Sequence, residues 1–169
     1  PLIFEDVEEG GGDGWIPLTA LGRTISRTNQ TMVLMIFVNG PGEWLVDEIK
    51  LTAVADDLDL LAAVDGPDGS FEMGDDGWER RGNHETSFWT DQEAKEGVGS
   101  EHLVATGNGS VSNSLRVRLR GIPPGTQFLV SLWAKHVKGD PRLEIRVLGG
   151  ALQMPAQLTR PDLDLARDW

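Results

Sequence analysis

The chain has no cysteine in its 169 residues. Disulfides, thiolate metal sites and a cysteine nucleophile are therefore excluded. Basic residues are scarce, with 15 Lys and Arg against 27 Asp and Glu and a net charge of -12. That argues against a nucleic-acid partner, because phosphate binders carry a basic face. No apolar run approaches the ~18 residues of a membrane span, so membrane insertion is not expected. No signal peptide is visible and the chain begins at Pro1 without Met, as expected of a trimmed or processed segment. His84, His102 and His136 lack metal-ligand spacing and read as surface or satisfied polar residues. No Gly-x-Ser-x-Gly nucleophile elbow occurs, and Gly107-Asn108-Gly109-Ser110 is turn material. Asp56, Asp57 and Asp59 lack the Gly and distal Glu of an EF-hand loop. Sustained helical patterns are also scarce, while glycine (21) and proline (9) are plentiful. That combination points to an all-β fold.

An apolar content of 39% with 25% charge supports a packed core. The length suits one domain. Thr31–Val38 is a near-continuous apolar run of strand length, as in a strand buried on both faces. Asn39-Gly40-Pro41-Gly42 is a strong turn. Trp44–Val54 returns as a strand that alternates less cleanly, so Met32–Leu51 reads as an antiparallel hairpin. Ala55–Leu61 is a short helical turn or an extended connector. Glu79–Gly99 reads as a long polar loop holding only Phe88-Trp89. Leu103–Ala105 is a short strand. Leu115–Arg120 alternates strictly, with one core face and one arginine face. In Gln127–His136 the face of Phe128, Val130 and Leu132 is the core choice. Leu143–Leu148 alternates again. Short strands between turns indicate an antiparallel β-sandwich or barrel. There is no strict repeat, although Phe4-Glu5 … Gly14-Trp15 echoes Phe71-Glu72 … Gly77-Trp78.

Several of these stretches carry a resemblance. Leu60-Leu61, Gly69-Ser70-Phe71-Glu72, Gly77-Trp78, Thr106-Gly107, Ser114–Val117 and Pro124–Lys135 together resemble the opening and middle of a carbohydrate-binding module of the galactose-binding-like jelly-roll type. Phe128 stands where the family usually has Tyr. Met32–Leu51, with Asp47-Glu48-Ile49, resembles the closing strands of the same module. The resemblance covers most of the chain in permuted order. It implies a circularly permuted jelly roll over 1–169, in which 1–54 correspond to the module's C-terminal half, 55–66 form a connector and 67–169 correspond to its N-terminal half. The alternatives are a slice across two adjacent modules and a dimer that swaps halves.

The resemblance also implies a structural Ca²⁺ near Asp47 and Glu72, with oxygens from Asp68 and Gly69 as further donors. Ca²⁺ takes six to eight oxygen ligands, which suits this set. Sugar recognition would rest on aromatic stacking with a few polar groups. Phe88 and Trp89 form an aromatic pair in a polar loop. Trp133 and Lys135 share the strand face opposite Phe128. These four are the candidate ligand residues, while Trp15 and Trp78, each following Gly in a turn, read as buried structural rings. Arg116, Arg118 and Arg120 form a stripe that is either a solvated face or a contact for an acidic sugar such as a uronate.

The expected function is a non-catalytic module that binds a polysaccharide or oligosaccharide, extracellular or at the cell surface within a larger exported protein. The alternatives are a structural or adhesive β-sandwich of a multidomain surface protein, and a jelly-roll polysaccharide lyase or glycosidase.

Overall fold

The alternating segments pair into two antiparallel sheets. The computed structural model describes residues 2–3, 14–24, 32–54, 60–63, 66–120 and 122–152. The strands are β1 (Leu2–Ile3), β2 (Trp15–Thr24), β3 (Met32–Asn39), β4 (Gly42–Val54), β5 (Leu60–Ala63), β6 (Glu79–Arg81), β7 (Phe88–Thr90), β8 (Ser100–Ala105), β9 (Ser114–Leu119), β10 (Gln127–Gly139), β11 (Arg142–Leu148) and β12 (Gly150–Leu152). The five-stranded sheet runs β1-β11-β3-β9-β6, and the seven-stranded sheet runs β12-β2-β10-β4-β8-β7 with β5 added to β4. This is the β-sandwich the spacing predicts. The strands of 1–54 and of 67–152 interleave in both sheets.

Alternation decides which face each strand buries. Phe128, Val130, Leu132 and Ala134 of β10 are buried, as are Leu115, Val117 and Leu119 of β9 and Leu143, Ile145 and Val147 of β11. They meet in one core cluster with Leu34, Ile36, Val46, Ile49, Phe71 and Trp78. β3 lies between β11 and β9, and Leu34–Val38 are buried on both of its faces.

Two expectations are corrected. β3 and β4 do not form a hairpin: β3 pairs with β11 and β9, whereas β4 pairs with β10, β8 and β5 in the other sheet. The Asn39–Gly42 turn carries the chain across the sandwich. Glu79–Gly99 is not one loop either. It holds β6, a 3₁₀ turn at Gly82–His84, and β7. Of the connector, residues 55–59 and 64–65, with the Asp56, Asp57 and Asp59 reading, lie outside the described residues.

The uneven alternation of β4 comes from a bulge. Asp47 opposes Trp133 and Lys50 opposes Ser131, so Glu48 and Ile49 together face Leu132. The extra residue reverses the parity of the strand. Val46 and Ile49, three residues apart, therefore both reach the core. Glu48 takes φ 52°, a left-handed conformation that costs a non-glycine residue about 1–2 kcal/mol. The bulge turns the Ile49 amide out of the ladder, where it donates to Gly69 O at 2.8 Å. A Cβ on Gly69 would overlap the Ile49 carbonyl, so glycine is required for this docking.

One open side of the sandwich is closed by charge. Arg80, on edge strand β6 of the five-stranded sheet, donates to both oxygens of Glu101 at 2.7 and 2.9 Å. Glu101 is on β8 in the other sheet and is wholly buried; Asp75 also pairs with Arg80. Burial raises the Glu101 pKa, and Arg80 opposes the rise. Removing Arg80 would strand a buried charge. Arg80→Ala is expected to cost about 3–5 kcal/mol in urea unfolding, while Arg80→Met/Glu101→Leu together restore most of that loss. Equal losses in the single and double variants would contradict the assignment.

Candidate functional site

Register places the candidate ligand residues. Directly paired residues share a sheet face. Phe88 pairs with His102, His102 with Leu45, Leu45 with Lys135 and Lys135 with Trp15, so these five form one row across five strands. Trp133 lies on the same outer face, two residues along β10 from Lys135, and pairs with Asp47 on one side and Pro17 on the other. Ser131 and Thr19 continue this face. Phe88 is 46% exposed and its ring lies 4.8 Å from that of His102. His102 in turn contacts Glu43 at 3.1 Å.

Trp89 faces the other way. It pairs with Glu101, which pairs with Val46, a core residue. Its indole N–H donates to Phe71 O at 2.7 Å, and its ring packs against the core. Phe88, Trp133 and Lys135 thus share one face, and Trp89 stands beneath it. The adjacent pair in sequence splits because successive strand residues point to opposite faces. Trp15 and Trp78 are buried, as expected. His84 is buried too, but satisfied. Val38 N donates to its Nε2 at 2.9 Å, which leaves the proton on Nδ1 to bond Asn83 Oδ1 at 2.6 Å.

A strap over residues 91–99 crosses the outer face, and sequence reasoning missed it. Glu93 pairs with Lys135, and its carbonyl accepts from Ser100 Oγ at 2.6 Å. The Lys95 ammonium lies over the Trp133 ring, 4.3 Å from its centre. The amides of Lys95 and Glu96 donate to Asp47 Oδ2 at 2.8 and 3.3 Å. Val98 N donates to Glu72, at 2.8 Å to the nearer oxygen. Gly97 has φ 65°, and a Cβ there would overlap the Glu72 carboxylate. Gly97-Val98-Gly99 was the one signal available for this segment.

Asp47 and Glu72, distant in sequence, therefore converge on one four-residue stretch. Each adjoins a left-handed residue, Glu48 and Phe71 (φ 56°). Such strain is concentrated where surrounding structure holds a site. Asp47 is wholly buried, and burial raises its pKa to about 6 against the amides of Glu96, Lys95 and Glu48. Asp47 Oδ1 also accepts from Glu48 N at 2.7 Å, and both Glu72 oxygens accept from Val98 N, so these carboxylates are already bonded to amides. In charge alone, two carboxylates on one segment suit a hard divalent ion. Several of the other candidate oxygens are already hydrogen-bonded. Asp68 Oδ1 accepts from Ser70 N and Oγ at 2.9 and 2.6 Å, and its carbonyl accepts from the Trp78 indole. The Gly69 carbonyl accepts from Ile49, and that of Phe71 from Trp89. Among the described residues, no three His, Asp or Glu side chains group as a metal site.

No protein-family profile matches the chain, and no curated protein or solved structure matches it.

His84 and Asp47 act on stability in opposite directions in acid. Burial holds His84 at about 4, against an ordinary 6.5. Only the unfolded chain binds its proton as pH falls through that interval, so stability is lost. Asp47 is raised from 3.8 to about 6, so the fold binds its proton first and stability is gained as pH falls from 6 toward 4. Each contribution is about 3 kcal/mol, at roughly 1.4 kcal/mol per unit. Asp47→Asn is expected to lose stability as pH falls from 6.5 to 4.5, and His84→Gln to gain it, in urea unfolding with EDTA. Identical pH profiles for the two variants would contradict this.

Proposed function

We propose that the chain is a non-catalytic carbohydrate-binding module of the galactose-binding-like jelly-roll type with its halves permuted, working outside the cell as part of a larger exported protein. The observation that carries this is the outer face of the seven-stranded sheet. Trp133, Phe88 and Lys135 stand on it together, with Ser131 and Thr19 beside them. Ring faces supply stacking surface for pyranose rings, and the hydroxyls and ammonium supply orienting hydrogen bonds. Trp89 supports the face from below. In the permuted reading β4, whose residues up to Leu51 carry the closing-strand resemblance, runs on to pair through Thr52–Val54 with Leu60–Ala63, where the opening resemblance begins.

In the same reading Asp47 and Glu72 would hold a structural Ca²⁺. Asp68 and Gly69 are the further donors in this reading, although Asp68 Oδ1 already accepts from Ser70 and the Gly69 carbonyl from Ile49. The ion, when bound, would neutralise the buried Asp47 charge. The chain's own part is to anchor the strap through the amides of Lys95, Glu96 and Val98.

A second reading, a structural or adhesive module without a sugar site, is favoured by one contact. Lys95 already occupies a face of the Trp133 ring.

Affinity electrophoresis on neutral plant, algal and bacterial polysaccharides tests the first reading. Retardation on at least one gel is expected. It should be abolished by Trp133→Ala and weakened severalfold by Phe88→Ala. No retardation on any gel, or retardation indifferent to Trp133→Ala, sinks it in favour of the structural module. Calcium is tested separately by thermal unfolding. At a hundredfold excess over Kd, Ca²⁺ is expected to raise Tm by roughly 5–10 °C relative to EDTA. Glu72→Gln and Asp47→Asn should each remove the shift. No shift in the unsubstituted protein rejects the ion alone.

A further inference from the structure

The opposite face of the sandwich carries arginines that, among the described residues, are left without an ion pair. Several other described cations are matched: Lys50 with Glu48, Arg80 with Glu101 and Asp75, Arg81 and Arg116 with Glu79, Lys135 with Glu93, Lys138 with Glu43. Arg118 and Arg120 are exposed and make no ion pair or hydrogen bond to a described residue. Arg116 and Arg118 lie on the outer face of β9, and Arg120 continues their alternation just past its end. Register sets Arg116, Met35 and Arg146 in one row and Arg118, Val33 and Leu148 in the next. Arg118 and Arg146 are therefore two strands and two residues apart, about 12 Å between Cα atoms at ~4.8 Å per strand and ~3.3 Å per residue. The Arg146 guanidinium is held over the Phe37 ring, 5.1 Å from its centre. β6 pairs with β9 only at Ser114–Arg116, so among the described residues nothing pairs the far edge of β9 beyond that point. The ground between the arginines is apolar, Val33 and Leu148, and Leu148 is 39% exposed.

We propose that this arginine face of the five-stranded sheet binds a uronate-bearing polysaccharide. Guanidinium forks match planar carboxylates in two-point contacts, and arginine is weakly hydrated enough to exchange water for them. Carboxylates repeated along a polymer would meet Arg118, Arg120 and Arg146 in succession, with sugar rings over Val33 and Leu148. Duplex DNA carries one negative charge per ~1.7 Å of its axis, far denser than three arginines can match, and it serves as the control polyanion. The proposal rests on the glycan-binding reading for the class of ligand, but it uses the other sheet and other residues.

The test is affinity electrophoresis of the full chain in gels containing polygalacturonate, fully methyl-esterified polygalacturonate, dextran sulfate (a polyanion without uronate) or duplex DNA. Retardation by polygalacturonate is expected, reduced at least tenfold by esterification, by 0.3 M NaCl and by Arg118→Glu/Arg120→Glu. These two side chains are exposed and unpaired, so far-ultraviolet circular dichroism of the double variant should match the parent. Trp133→Ala should leave this retardation unchanged. Polygalacturonate retardation alone, with no neutral polysaccharide bound through Trp133, keeps this site and rejects the Trp133 face. Neutral binding through Trp133 with no polygalacturonate retardation does the reverse. Equal retention by dextran sulfate or DNA, self-association in sedimentation, or indifference to Arg118→Glu/Arg120→Glu each overturns the proposal.

Discussion

The extra residue in β4 is the constraint on which the site depends. A regular strand cannot place Val46 and Ile49 on one face, because its side chains alternate with period two. The bulge at Glu48–Ile49 resolves this and keeps both residues in the core. It also leaves Asp47 as the last outward residue before the reversal, directly beside Trp133. The amide released at Ile49 fixes Gly69, which leads the chain through Phe71 to Glu72. One irregularity thus positions both carboxylates. The cost of a left-handed glutamate, about 1–2 kcal/mol, is small beside the burial of two large aliphatic side chains.

The strap over 91–99 follows from those carboxylates. An exposed nine-residue segment gains little by ordering itself, since each fixed residue costs about 1–2 kcal/mol of backbone entropy. Here its amides satisfy Asp47 and Glu72, its Glu93 meets Lys135, and its Lys95 lies on Trp133. Charge-assisted amide bonds of this kind are stronger than neutral ones. The same contacts that order the strap shade one ring of the outer face. Anchoring and access are therefore coupled at Trp133.

Much of the fold was legible because its central strands alternate strictly. Leu115–Leu119, Phe128–Ala134 and Leu143–Val147 each show their buried face in the order of residues. The burial of Trp15 and Trp78 was legible from the glycine before each. The pairing partners were not. Asn39–Gly42 reads as a turn in any context, and nothing local says whether the next strand returns to its own sheet or crosses to the other. β6 and β7 are three residues each, too short for a period to show, so Phe88 and Trp89 looked alike. Their pairing with β8 separates them into an exposed ring and a packed one.

By itself the sequence determined the class of fold, the strands that form its centre, the absence of thiol chemistry and the acidic charge of the chain. These depend on composition and on neighbours two residues apart, which every local conformation preserves. Only the tertiary structure decided that Asp47 and Glu72 share a strap, that Trp133 and Phe88 share a face, and that Arg146 joins the stripe of Arg118 and Arg120 on the opposite sheet. Each of those depends on strand order and register, and both are set by long-range pairing and by a single inserted residue rather than by any local signal.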